Sequence, residues 1–187
     1  MPDTTPVYLE EFLALHPADL ADRLQRMEVK EARHILLELP AKNASAALTE
    51  LEDEILTELL DGFPQTKLVP LLNTMYAEEA ADVLGELEET DRARLLRKMG
   101  AKEAAAAKTL LKYPEDSAGG IMNDRFITLR ALQTVGEGHR RIRQKHREQK
   151  HSDINYLFVT DKEKKLVGVV SIRDLIFSAD EVKVSDI

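Results

Sequence analysis

The sequence predicts a mainly α N-terminal helical-repeat superhelix, α-solenoid-like, followed by a small α+β unit. Three observations predict it. Apolar columns recur every 24 residues through residues 1–114, a break marked by Pro114 and Gly119-Gly120 follows, and beyond the break the pattern changes to short β-branched or apolar runs. The chain has 187 residues, 43% hydrophobic and 32% charged, without Trp or Cys. That is the balance of a folding, helix-rich chain of one large or two small domains.

The repeat is read from its breaks at Pro17, Ala41, Gln65 and Glu89. Leu24, Leu48, Leu72 and Leu96 share one column, Met27, Leu51, Met75 and Met99 a second, and Leu39, Phe63 and Leu87 a third. Pro40 and Pro64 are expected to close the first two units, and Tyr113-Pro114 the fourth. Spacings of three and four, as in Leu68, Leu71, Leu72 and Met75, draw one helical stripe per segment, so each unit holds about two short helices. Such stripes need covering, and stacked pairs cover one another. The methionines are therefore core residues rather than a metal or cofactor box.

Residues 1–114 are expected to form the repeat domain, 115–123 a linker and 124–187 the second domain. In the latter, Phe126 to Leu129 reads as a strand, and Thr134 with Glu137 has capping-box spacing for a helix running to about His146. Asn155 to Thr160 and Leu166 to Ser171 read as two paired strands across the charged turn Asp161 to Lys165, and a helix from Ile172 to Ser178 completes the unit.

Gly168-Val169-Val170-Ser171-Ile172-Arg173-Asp174 fits the pattern of a CBS motif, and the element order resembles that family too. The resemblance implies a nucleotide site with three contributors here. Gly168 lets a ring approach the backbone, the Ser171 hydroxyl reaches a phosphate or sugar, and Asp174 accepts from ribose hydroxyls. Ser171 and Asp174 would equally cap the last helix with no ligand at all.

Tyr113-Pro114-Glu115-Asp116-Ser117-Ala118-Gly119-Gly120-Ile121-Met122 looks like the junction between the helical N domain and the first CBS motif of the MgtE-type magnesium transporters, and the 24-residue repeats resemble that N domain. The resemblance implies the cytoplasmic region of a homodimeric magnesium transporter or channel with a pair of CBS motifs and a transmembrane pore domain. Its place would be the cytoplasmic side of the cell membrane. Val184 to Ile187 stand where the second motif of the usual pair starts, so a second copy or a missing half is expected to cover the exposed sheet surface.

In that family Mg2+ lies between the acidic N domain and the CBS module and holds the pore closed. By repeat alignment, Glu78 and Asp82 match a pair of family carboxylates, and their i, i+4 spacing sets them on one helix face. A further acidic family position falls at Ala46 here, and a solvated helix face would also carry Glu78 and Asp82. Glu52-Asp53-Glu54 reads as an acidic helix start.

The formal charge is −8, and residues 1–114 hold 13 Lys and Arg against 22 Asp and Glu. Such a surface repels phosphate backbones, so nucleic acid is not an expected partner. The basic run His139 to His151 would suit ATP phosphates, a cytoplasmic leaflet or plain solvation, with Ile142 facing inward. An apolar stretch of about 18 residues is lacking, so no membrane span is expected in this chain. No Ser-His-Asp set, P-loop or zinc spacing points to an enzyme. Two functions remain: a Mg2+-sensing regulatory region, or a stand-alone scaffold whose CBS motif binds ATP or another adenine nucleotide.

Overall fold

A computed structural model describes residues 7–114, 116–122, 126–149 and 155–187. Glu115 of the expected junction, residue 123 of the expected linker, the N-terminal residues 1–6, and Lys150 and His151 of the basic run lie outside the described residues. The chain divides into two compact units after Met122.

The first unit opens with α1 (Val7–Leu13) and continues in pairs: α2 (Pro17–Gln25) with α3 (Val29–Glu38), α4 (Ala41–Leu48) with α5 (Asp53–Leu60), α6 (Gln65–Thr74) with α7 (Ala77–Gly85), and α8 (Glu89–Lys98) with α9 (Ala101–Leu110). First members start at 17, 41, 65 and 89, second members at 29, 53, 77 and 101, so the sequence period is the structural period. Helix α2 packs on α4, α4 on α6 and α6 on α8, while α3 packs on α5 and α7 on α9. This is the stacking of an α-solenoid, in which each pair covers its neighbour's apolar stripe.

The apolar columns point inward. Leu24, Leu48, Leu72 and Leu96 are buried, as are Leu51, Met75 and Met99, and half-buried Met27 packs on the same core. Leu39 and Phe63 are buried and Leu87 packs beside them. Helix α1 lies before the first repeat and adds Leu9 and Phe12 to this core. Pro40 and Pro64 do not close units. They cap the N-termini of α4 and α6, where a residue without an amide hydrogen costs the helix nothing because first-turn amides lack intrahelical partners. Asp53 and Glu54 occupy the first turn of α5, the acidic helix start that the sequence predicts.

The second unit runs β1 (Thr128–Arg130), α10 (Val135–Gln149), β2 (Tyr156–Thr160), β3 (Leu166–Ser171) and α11 (Ile172–Phe177), ending in a 3-10 turn at Val184–Asp186. In the order β1-β2-β3, β1 is parallel to β2 and β2 antiparallel to β3. The first strand begins two residues later than the sequence pattern indicates, because Thr128 to Arg130 are the residues in register with Phe158 to Thr160. Thr134 N donates to Glu137 Oε2 at 2.9 Å and Glu137 N to Thr134 Oγ1 at 3.3 Å, closing the capping box of α10. That helix continues past His146 to Gln149.

Ile127, Leu129, Val135, Leu157, Val159, Val170, Leu175 and Val184 make a separate core, with Ile142 packed against it. Strand alternation sends Leu157 and Val159 into that core and leaves Tyr156, Phe158 and Thr160 on the opposite sheet face. That second face is open, with Tyr156 and Val169 exposed.

Candidate cation and nucleotide sites

Glu78 and Asp82 both lie on α7, which is anchored through buried Ala80, Ala81, Val83 and Leu84. Glu79 Oε2 accepts from Tyr76 N at 2.8 Å and fixes the start of the helix. The other end is held by Arg92, whose Nε donates to Leu84 O at 2.7 Å and whose Nη2 donates to Gly85 O at 2.7 Å and Leu87 O at 2.9 Å. A guanidinium there satisfies orphan carbonyls and opposes the negative end of the helix dipole.

Glu78 is half-buried with both carboxylate oxygens enclosed, and Asp82 is exposed. Asp82 borders a hollow of about 90 Å3 with Arg92, Leu110, Tyr113 and Gly120. Among the described residues no three His, Asp or Glu side chains gather around one point. Mg2+ keeps several of its waters and needs one or two carboxylates, so the chemistry of the pair fits a largely hydrated Mg2+. Ala46, on α4, offers no ligand.

Ser171 and Asp174 meet at the start of α11. The Ser171 hydroxyl donates to Asp174 Oδ2 at 2.6 Å and accepts from Asp174 N at 3.0 Å. The pair thus caps the helix while staying partly exposed to solvent. Gly168 is placed differently, opposite Val159 in the ladder, where an added Cβ would come no closer than 3.9 Å to the Val159 Cβ. The chain's own packing therefore leaves room for a side chain at Gly168.

The sequence pattern did not single out a cavity of about 750 Å3 in the second unit, walled by Phe126, Phe158 and Thr128 and edged by Arg130, Arg141 and Lys164. Arg141 belongs to the basic run and Lys164 to the charged turn, and chain spacing says nothing of their meeting.

The model of the MgtE intracellular N domain matches residues 15–116, more than half of the chain. The chain belongs to the MgtE family. A CBS domain model matches residues 118–181 of this MgtE-family chain. The magnesium transporter MgtE of Bacillus subtilis (strain 168) is 34% identical over 173 residues, which are 92% of this chain and 38% of that protein. This chain therefore spans well under half the length of that relative. A crystal structure of the soluble part of a magnesium transporter aligns at TM-score 0.79 and 30% identity, over 96% of this chain and 70% of that one. A second, of the cytosolic domain of the Mg2+ channel MgtE in complex with ATP, aligns at TM-score 0.84 and 28% identity, over 95% and 72%. The fold of this MgtE-family chain is the predicted one, a helical superhelix followed by a small α+β CBS unit. Among the described residues no helix is long and apolar enough to cross a membrane.

Proposed function

We propose that this chain is the Mg2+-sensing regulatory region of an MgtE-family magnesium transporter or channel, working on the cytoplasmic side of the cell membrane beside a transmembrane pore domain. The observation that carries this reading is the combination of an acidic repeat unit and a CBS unit in one chain, aligned over its near-entire length with a solved MgtE cytosolic domain. Facing carboxylates repel until a divalent ion offsets them, so occupancy biases how the two units associate, and the pore responds to that association. Glu78 and Asp82 on α7 are the ligands proposed for this ion. Homodimerisation through the CBS unit is part of the same reading, and its support is the exposure of Tyr156, Val169, Ile176 and Phe177.

Small-angle scattering of the purified chain, with and without millimolar Mg2+ at constant ionic strength, tests the sensor. The wild type is expected to become more compact with Mg2+, and the Glu78→Ala/Asp82→Ala variant to respond less. A wild type whose scattering is indifferent to Mg2+ overturns the reading for this chain.

The second reading, a stand-alone scaffold binding an adenine nucleotide at Gly168, Ser171 and Asp174, draws its support from the ATP complex of the similar structure. Binding of ATP lost in Ser171→Ala/Asp174→Asn, without any Mg2+-dependent compaction of the wild type, would favour it.

A further inference from the structure

We propose that the open face of the three-stranded sheet holds a second ligand site, separate from the Ser171–Asp174 pair, for a small molecule that carries both phosphate and a flat ring. The cavity there measures about 750 Å3, within the usual range of small-molecule sites. Three cations from three different elements edge it: Arg130 at the end of β1, Arg141 on α10 and Lys164 in the turn between β2 and β3. Among the described residues none of the three makes an ion pair.

The cations are positioned rather than merely near. Arg141 Nε donates to Thr128 O at 2.7 Å and Nη2 approaches Thr128 Oγ1 at 3.4 Å, which fixes the guanidinium and leaves its remaining N–H groups for a ligand. Lys164 is the non-glycine residue in the left-handed region, with φ 64°, and the turn that carries it is tied by Asp161 Oδ1 accepting from Lys165 N at 2.8 Å. A residue held in that sparsely populated region is a recurring feature of ligand sites. Asp161 is the one carboxylate among the residues lining the cavity, and it is engaged by that backbone bond.

Three like charges around one concavity repel each other, and an anion relieves that repulsion. Guanidinium and ammonium donors together suit phosphate oxygens. The opposite wall is apolar: Phe126 and Phe158 meet edge to face, centroids 5.8 Å apart at 83°. The wall suits a planar ring, because aromatic faces and edges complement each other. Sequence spacing could not have located this site, since its cations come from residues 130, 141 and 164.

Isothermal titration of the full chain with ADP and with pyrophosphate, in metal-free buffer, tests the proposal. ADP should bind more tightly than pyrophosphate. Arg130→Gln/Lys164→Gln should weaken ADP by about tenfold or more, since charged hydrogen bonds are lost. Ser171→Ala/Asp174→Asn should leave it within about twofold. Circular dichroism checks that both variants fold; the replaced groups are exposed. The proposal is overturned if the wild type binds neither probe, or if the Arg130/Lys164 variant binds ADP as the wild type does. Loss confined to the Ser171/Asp174 variant overturns it too, by moving the nucleotide to the cap. Equal affinity for the two probes removes the ring from the proposal. Sedimentation velocity covers the remaining occupant: a dimer lost in the Arg130/Lys164 variant with ADP binding intact would give this face to a second copy.

Discussion

Gly119 and Gly168 look alike in the sequence, and their surroundings separate them. A Cβ on Gly119 would stand 2.4 Å from Tyr113 Cδ1 and 2.5 Å from Cγ, so the ring root would have to move. Gly119→Ala should therefore destabilise the first unit by about 1–3 kcal/mol in chemical denaturation, the usual cost of overpacking. At Gly168 the nearest atom would be Val159 Cβ at 3.9 Å, ordinary contact. Gly168→Ala should leave stability unchanged or raise it by about 0.5 kcal/mol, because alanine loses less backbone entropy in a strand. Loss of ATP binding in that variant with stability intact would show that the glycine serves a ligand. The sequence marks Ser117 to Gly120 as permissive backbone, and that much is local. The Tyr113 ring against Gly119 is a tertiary contact, invisible to spacing.

At the scale of the element, α7 carries the two carboxylates and depends on a residue of the next helix. The three carbonyls that accept from Arg92 are the C-terminal end of α7 and the residue following it, so the guanidinium welds α8 to α7. Arg92→Ala should cost about 1–3 kcal/mol, the range for hydrogen bonds to a charged group left unmade. Arg92→Lys should recover little of this, since an ammonium cannot reproduce a fork to several carbonyls. Urea denaturation reads both, and the Arg92→Ala chain should also lose part of its Mg2+-dependent compaction as the end of α7 frays. A normal compaction response in a destabilised Arg92→Ala chain would separate helix anchoring from sensing. The i, i+4 spacing of Glu78 and Asp82 is legible from sequence because helical geometry is local. Enclosure of the Glu78 oxygens is not, because it depends on what the fold brings around them.

Across the whole molecule, two cores share no residue: one runs from Leu9 to Ala107, the other from Ile127 to Val184. Separate cores predict separable unfolding. Leu72→Ala and Leu157→Ala each empty a position with 0% exposure, so each should cost about 2–5 kcal/mol in its own unit. Denaturation followed by hydrogen exchange should show each variant shifting one set of amides; a common shift in both would mean that the units unfold together. What the sequence by itself determined is the 24-residue period, the helix starts at 17, 41, 65 and 89, the α10 capping box and the strand-strand-helix ending. These follow from interactions within a few residues, where apolar spacing and caps act directly. Tertiary structure alone decided that Pro40 and Pro64 open helices, that Gly168 faces Val159 while Ser171 and Asp174 pair, and that Arg130, Arg141 and Lys164 edge one cavity. The physical reason is distance along the chain: strand register and the packing of α10 beside the sheet bring together charges that no local periodicity connects.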